Sequence, residues 1–104
     1  MAIVIVATIF PIPEYRDEVL AAHAKAQQTV HDTEDGCLLY ALHEGPDGRL
    51  VMIEKYTDQA AVDAHLSGAG LAALRAATAG KLAGPPDLQV LTPLPAGSAE
   101  KGVL

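Results

Sequence analysis

The alternation of hydrophobic and polar positions predicts a strand and a helix in the first third of the chain. Residues 3–10 are apolar on both faces and mostly β-branched, a pattern typical of a strand buried on both sides. Pro11 and Pro13 end this strand, and apolar residues then recur at helical spacing. We therefore expect an amphipathic helix over roughly residues 13–31.

A hairpin follows this helix. Strands over about residues 37–44 and 49–56 flank residues 45–48, whose Gly-Pro-Asp-Gly sequence is typical of a hairpin turn. A four-residue loop would pair position 44 with position 49 and put Leu39 opposite Glu54. This register places Leu39 on the same face of the sheet as Glu54, whereas a slip by one residue would invert that arrangement.

The second half of the chain predicts an interrupted helix and a last strand. Asp58 is a suitable N-cap for a short helix that ends at Leu66. After an interruption by a Ser-Gly-Ala-Gly segment, a second helical piece runs from Leu71 to about residue 82. Residues 88–91 then predict another strand.

The order β-α-β-β-α-β predicts an α+β fold of the ferredoxin-like type, with an antiparallel sheet and helices on one face. We expect residues 1–95 to form this single domain and residues 96–104 to form a C-terminal tail. Two interpretations of the tail stay open. It is disordered, or it is an arm laid across a partner subunit through the apolar Val103 and Leu104.

Both faces of the predicted sheet are apolar, although the helices can cover only one of them. The first strand is apolar throughout, and the hairpin carries leucine, valine, isoleucine and methionine on both sides. Leaving on the order of several hundred Å² exposed would forfeit about 25 cal/mol per Å². The pattern therefore predicts a homodimer that packs sheet against sheet.

Composition and charge narrow the partners and the compartment. The chain has 104 residues and a net charge of −6, with no basic stripe that would attract nucleic acid or an anionic membrane. It has one cysteine and no secretory or membrane-spanning pattern. We therefore expect a cytoplasmic protein with no nucleic-acid or membrane partner.

Acid–base chemistry is most plausible at the end of the hairpin and on the short helix. Glu54 shares a strand face with Met52 and Tyr56, and burial among apolar neighbours would raise its pKa. The alternative is that Glu54 lies near a sheet edge and pairs with Lys55, Arg75 or a backbone amide. Taken alone, Tyr56 is better explained as an ordinary strand aromatic that packs in the core.

The histidines divide into one catalytic candidate and several weaker ones. His65 lies three and four residues after apolar positions and should face the sheet, although a lone histidine there is often a hydrogen-bonded core residue. His23 points either into the same cavity or to its boundary, with the boundary slightly favoured. His31 suits a helix C-terminus, and His43 should be exposed near the hairpin tip.

Other kinds of site find little support. The histidine spacings and the single cysteine do not predict a metal site, and no glycine-rich loop predicts a nucleotide site. Neither serine lies in a G-x-S-x-G elbow, so a Ser-His-Asp hydrolase is also disfavoured.

The hairpin and short helix together resemble the antibiotic-biosynthesis monooxygenase (ABM) family. The matching features are an acidic-x-Gly-Cys turn, a strand tyrosine, a Glu-x-aromatic strand end and an Ala-His helix end. Here these are residues 34–37, Tyr40, residues 54–56 and residues 64–65, within a match over about residues 2–93. The family often has tryptophan at the position of Tyr56 and a second histidine near position 70, where this chain has glycine.

The resemblance implies a homodimeric α+β barrel with one cavity per subunit and no cofactor. Its expected function is a monooxygenase that oxidises a quinol or polycyclic phenol with O2. The implied catalytic residues are His65 for proton transfer, Tyr56 as donor and Glu54 as its partner. Candidate substrate-binding residues are Met52, Leu39, His23, Leu71 and Arg75.

Two other functions stay open at this point. One is a non-catalytic dimer that binds a small ligand in the same cavity. The other is an isomerase of a small polar metabolite, ranked last because Arg75 is the one obvious inward cation on the second helical piece. Within the family that the chain resembles, the haem-degrading branch relies on an asparagine and a tryptophan with a histidine. This chain has neither asparagine nor tryptophan, so haem degradation is disfavoured.

Overall fold

The structure, a computed structural model, describes all residues 1–104. Its elements are β1 (Ile3–Ile9), a 3₁₀ turn (Pro13–Tyr15), α1 (Arg16–Thr33), β2 (Cys37–Glu44), β3 (Leu50–Tyr56), α2 (Gln59–Leu66), α3 (Ala69–Thr78) and β4 (Asp87–Leu91). The strands form one antiparallel sheet in the order β2-β3-β1-β4. The predicted α+β ferredoxin-like fold is confirmed, although α3 starts and ends earlier than expected.

Local sequence features explain where α2 and α3 lie. The Asp58 side chain accepts a hydrogen bond from the Ala61 backbone N–H at 2.9 Å, which confirms the predicted N-cap. The helix then breaks, and α3 begins after Gly68. Because a Cβ at Gly70 would lie 3.2 Å from a methyl of Val30, glycine there lets α3 pack closely on α1.

The hairpin loop differs from the predicted four-residue loop. The Gly45 backbone N–H bonds to the Arg49 carbonyl at 2.8 Å, which leaves three residues in the loop. Gly48 has φ of +87°, the left-handed conformation that three-residue hairpin loops require at their last position. Glu44 therefore pairs with Leu50, and the predicted register is wrong by one residue.

The corrected register changes which side chains share a sheet face. Tyr40 lies opposite Glu54, whereas Leu39 lies opposite Lys55. Leu39 was predicted on the face of Glu54, and the structure places it on the other face. Since side chains alternate along a strand, a loop shorter by one residue is enough to exchange the faces on which Leu39 and Tyr40 lie.

A bulge in β2 compensates for the shift at the far end of the hairpin. The pairing changes register between Cys37 and Leu39, which leaves Leu38 as the extra residue. Cys37 therefore lies opposite Tyr56, the pairing that the four-residue loop would also have given. Leu38 is left more than half exposed.

We call the sheet face that the helices cover the inner face. Its buried side chains are Ile5, Ala7 and Ile9 of β1, Tyr40 of β2, and Leu50, Met52, Glu54 and Tyr56 of β3. Val19 and Val30 of α1, both fully buried, pack against this face. The hydrophobic core of the chain therefore lies between the inner face and the helices.

We call the opposite side the outer face. It carries Val4, Val6 and Thr8 of β1, Leu39 and Ala41 of β2, and Val51, Ile53 and Lys55 of β3. Most of these side chains are only partly buried in the single chain, as expected for a face that no helix covers. The apolar character predicted for both faces of the hairpin is therefore present.

The C-terminal residues form a closed loop and return to the outer face. The Gly102 backbone N–H bonds to the Ser98 carbonyl at 2.8 Å, and the main-chain oxygen of Leu104 accepts a hydrogen bond from Lys55 at 2.5 Å.

None of the helices is both long enough and apolar enough to span a membrane.

Candidate active site

A cavity of about 490 Å³ lies between the inner face and the helices. Its walls are mostly aliphatic, with side chains from β1, β3, α3 and the segment that leads to β4. The polar lining residues are His23, Tyr40, Glu54, His65, Arg75 and Thr78. A predominantly apolar pocket with a few polar groups is typical of a site for a small organic ligand.

His65 lies in the last turn of α2 and is 3% exposed. Its Nδ1 is 2.8 Å from Oε1 of Glu34, and its Nε2 is 3.7 Å from Oε1 of Glu54. Because a carboxylate can only accept, Nδ1 donates its hydrogen to Glu34, and the second ring nitrogen, Nε2, lies on the side of Glu54. The helix thus presents an imidazole that is held at Nδ1 and directs Nε2 towards the cavity-lining Glu54.

Glu54 and Tyr56 form the other half of the cluster. The Tyr56 hydroxyl donates a hydrogen bond to Oε1 of Glu54 at 2.5 Å. Tyr56 is fully buried and does not line the cavity, but its ring lies 5.3 Å from that of His65. The alternative prediction, that Glu54 pairs with Lys55 or Arg75, is wrong. The groups nearest to its carboxyl are the Tyr56 hydroxyl and the His65 ring.

Burial sets the protonation behaviour of this cluster. Desolvation raises the pKa of Glu54, opposed by the Tyr56 hydrogen bond and by His65. Burial, together with the hydrogen bond to Glu54, raises the pKa of Tyr56 well above its usual range. Burial also raises the pKa of Tyr40, so both phenols stay neutral near pH 7. A carboxyl with a raised pKa beside an imidazole is suited to exchange a proton with a ligand.

The sequence did not identify Glu34 as a member of the site. It follows the last residue of α1, and its side chain is 10% exposed. The turn at Gly36 brings it against α2, because a Cβ on Gly36 would lie only 2.5 Å from that of Ala61. A carboxylate at a helix C-terminus is unfavourable for the helix dipole, and this was the available signal that Glu34 has another role.

The structure places most of the predicted substrate-binding residues around the cavity. Met52, His23, Leu71 and Arg75 all line it, whereas Leu39 lies on the outer face and does not. His23 is buried rather than at the boundary that was favoured.

Tyr40 takes the place that was predicted for Leu39. It lines the cavity, and its ring lies 5.2 Å from that of His65.

The remaining two histidines do not line the cavity. His43 is exposed, as predicted, and Nε2 of His31 lies 3.0 Å from the Tyr40 carbonyl oxygen.

No group of three or more histidine, cysteine or acidic side chains is arranged to hold a metal ion. Burial raises the pKa of the Cys37 thiol to about 11, so this residue is a thiol rather than a thiolate near pH 7.

The fold and the site define a class of small α+β proteins with an apolar cavity and a buried histidine–carboxylate cluster. The sequence profile of the antibiotic biosynthesis monooxygenase family matches residues 2–77. The chain therefore belongs to this family, and the resemblance noted in the hairpin and α2 is confirmed.

Individual relatives agree with this assignment. Rv0793 of Mycobacterium tuberculosis, a candidate monooxygenase, is 35% identical over 98 residues, which is 93% of this chain and 96% of the relative. Its solved structure superposes with a TM-score of 0.82 at 32% identity, covering 94% of this chain and 100% of the other. A candidate antibiotic biosynthesis monooxygenase of Caulobacter crescentus gives a TM-score of 0.83 at 27% identity, covering 86% of this chain and 87% of the other.

Proposed function

We propose that this protein is a cofactor-independent monooxygenase that oxidises a polycyclic phenol or quinol with O2. The observation that carries the proposal is the arrangement of His65 and Glu54 at the wall of an apolar cavity, with Glu34 behind them at Nδ1 of His65. A base of this kind can convert a phenol to an electron-rich anion, which then reduces O2 itself. The apolar walls favour the reaction because they exclude water from the anion and from later intermediates.

In this proposal His65 takes the first proton. Nε2 accepts the phenolic hydrogen, and the imidazolium that forms is stabilised by Glu34 at Nδ1 and by Glu54 at 3.7 Å. Glu34 is a positioning residue, since it holds the ring and its tautomer without reaching the cavity. Tyr56 orients Glu54 through their hydrogen bond.

The overall reaction balances as a phenol and O2 giving a para-quinone and water. The phenolate passes an electron to O2, and the resulting pair combines at the para carbon as a peroxide, which takes the proton that His65 holds. His65 then removes the para hydrogen as a proton, which forms the new carbonyl while the O–O bond breaks. The departing hydroxide takes this proton from His65 and leaves as water. His65 thus returns to its starting state.

The proposed assembly is a homodimer that packs outer face against outer face. The support is physical: Val51, Ile53 and Leu39 lie on a sheet face that no helix covers. Burying such a face in a second copy recovers the hydrophobic free energy that the single chain leaves unused. The C-terminal residues reach this same face through Lys55, which is consistent with an arm at the interface.

The test is oxygen consumption by the purified protein with anthrone or 1-naphthol, followed by analysis of the product formed under ¹⁸O2. We expect enhanced uptake and one ¹⁸O atom in each quinone molecule. His65→Ala should lower the rate by about 10²- to 10⁴-fold, the usual contribution of a general base. Glu34→Gln should lower kcat at least about tenfold with a smaller effect on KM, since Gln accepts the Nδ1 hydrogen but carries no charge.

Lys55→Ala is the matched control, because Lys55 adjoins both Glu54 and Tyr56 in β3 but points to the outer face. It should retain the activity. Quinone without ¹⁸O would indicate an oxidase instead. Tight binding of these phenols without any turnover, unchanged in His65→Ala, would favour the non-catalytic binding dimer.

A further inference from the structure

His23 is a polar side chain of the cavity that the proposed mechanism does not use, and one of its ring nitrogens is enclosed without a partner. It lies on α1, is 4% exposed, and lines the cavity with His65. Its Nδ1 is closed off from solvent and has no hydrogen-bond partner. Buried polar groups are rarely left in this state unless a ligand, a water or a functional role accounts for them.

The two ring nitrogens of His23 differ in their surroundings. Nδ1 is enclosed, whereas Nε2 is neither enclosed nor hydrogen-bonded within the protein and is the nitrogen available to the cavity. An unpaired buried N–H is a rarer feature of native proteins than an unpaired acceptor. The hydrogen of the neutral ring therefore belongs on Nε2, which is also the form that imidazole side chains prefer in water.

Burial lowers the pKa of His23, so the ring is neutral near pH 7. No ion pair or hydrogen bond joins it to the Glu34–His65–Glu54 cluster. The two cavity histidines therefore offer opposite hydrogen-bonding groups to a ligand. In the proposed mechanism His65 donates a hydrogen bond from Nδ1 to Glu34 and presents the lone pair of Nε2 to the ligand, whereas His23 presents an N–H.

We propose that His23 is a substrate-positioning residue that donates a hydrogen bond from Nε2 to a carbonyl oxygen of the ligand. This inference rests on the proposed function, in which a hydroxyl of the same ligand faces His65. It narrows the substrate class to fused rings that carry a hydroxyl and, separately, a ketone or quinone oxygen. A ring system with two hydroxyls or two carbonyls would leave one histidine without a matching partner.

The first test is the tautomer of each histidine, read from ¹⁵N chemical shifts and ¹H–¹⁵N couplings of the free wild-type protein. We expect the Nε2–H form for His23 and the Nδ1–H form for His65. This measurement needs neither a variant nor activity. An Nδ1–H form of His23 would overturn the proposal, whatever the oxygen-uptake experiment shows.

The second test is a binding cycle with 6-hydroxy-1-tetralone and its analogue without the ketone, 5,6,7,8-tetrahydro-2-naphthol. In both probes the carbon para to the hydroxyl is a ring-fusion carbon, so neither can form a para-quinone and binding is measured alone. In the wild type, loss of the ketone should weaken binding about 3- to 10-fold, the range for one neutral hydrogen bond. In His23→Leu the two probes should bind almost equally, apart from the change in phenol acidity, which the cycle cancels.

A conservative pair of variants separates donation from packing. His23→Gln places an amide N–H near the position of Nε2 and should restore the preference for the ketone, whereas the shorter His23→Asn should not. An equal ketone preference in wild type and His23→Leu would overturn the proposal. So would restoration by Asn rather than Gln, which would place the donor at Nδ1.

Discussion

The two faces of the same sheet differ in where their polar and apolar side chains lie relative to solvent. On β3, Leu50, Met52, Glu54 and Tyr56 point inward and are all buried, while Val51, Ile53 and Lys55 point outward and are partly exposed. The inner face contains an ionisable group deep in an apolar environment, whereas the outer face keeps apolar groups where water reaches them. Both arrangements are costly in an isolated chain.

The comparison shows that each unfavourable feature points to a different kind of partner. A buried carboxyl among hydrogen-bonded neighbours suits a ligand that exchanges a proton, as proposed for Glu54 and His65. An exposed apolar sheet face suits a second copy of the chain. The residues of the proposed site and those of the proposed dimer interface therefore alternate along one strand.

The largest expected effect is on assembly, from Ile53→Glu on the outer face. In a two-fold interface the substitution brings two carboxylates into an apolar contact, which costs several kcal/mol of association free energy. We expect the dimer Kd to rise about 10²-fold or more, as measured by sedimentation equilibrium. Ala24→Glu, which adds the same charge on the exposed side of α1, is the control and should not change the Kd. A monomeric wild type would remove the basis of the comparison.

The next effect is on stability, from the neighbouring pair Leu50→Ala and Val51→Ala. Leu50 is 1% exposed within the single chain, so its truncation should cost about 2–5 kcal/mol at any protein concentration. Truncation of Val51 should cost less, and its cost should grow with protein concentration, because in the proposed dimer only the outer face is linked to association. Urea unfolding at two or more concentrations measures both. Equal behaviour of the two variants would contradict the division into faces.

A smaller effect separates the two tyrosines that pack on His65. Tyr56→Phe removes the donor to Glu54 and should destabilise the protein by about 1–3 kcal/mol, because a buried acceptor loses its partner. Tyr40→Phe should cost less, since burial and nearby charges rather than any hydrogen bond account for the raised pKa of Tyr40. Thermal unfolding of the two variants at one pH measures the difference. Equal losses would show that the Tyr56–Glu54 hydrogen bond is not important for stability.

The smallest effect is a pH trend in Glu54→Gln. Because burial raises the pKa of Glu54 in the folded state, its contribution to stability is complete below the unfolded pKa of about 4.3 and is lost as pH rises through the folded pKa. Glutamine does not titrate, so the variant should become more stable relative to the wild type as pH rises above that value. Unfolding free energies of the variant and the wild type, measured from about pH 4 to about pH 8, show the trend. A relative stability that falls with rising pH would contradict the assignment.

The sequence predicted the fold more completely than the site. The order of elements, the N-cap at Asp58 and the inward position of His65 all follow from local patterns that tertiary contacts did not override. Leu39 and Tyr40 were exchanged, since the predicted four-residue loop has only three residues and the left-handed conformation of Gly48 sets the register. Periodicity along a strand identifies two faces but does not say which of them faces the helices.

By itself the sequence determined the α+β class, which follows from the order of the elements. It also determined the two apolar sheet faces and the candidates His65, Glu54 and Tyr56, because these depend on spacing within one element. Only the tertiary structure decided that Glu34, thirty-one positions from His65, holds its Nδ1, and that His23 is buried without a partner. These facts depend on how separate helices pack, where contact is set by three-dimensional shape and burial rather than by residue spacing. The acid–base cluster is therefore a property of the packed fold.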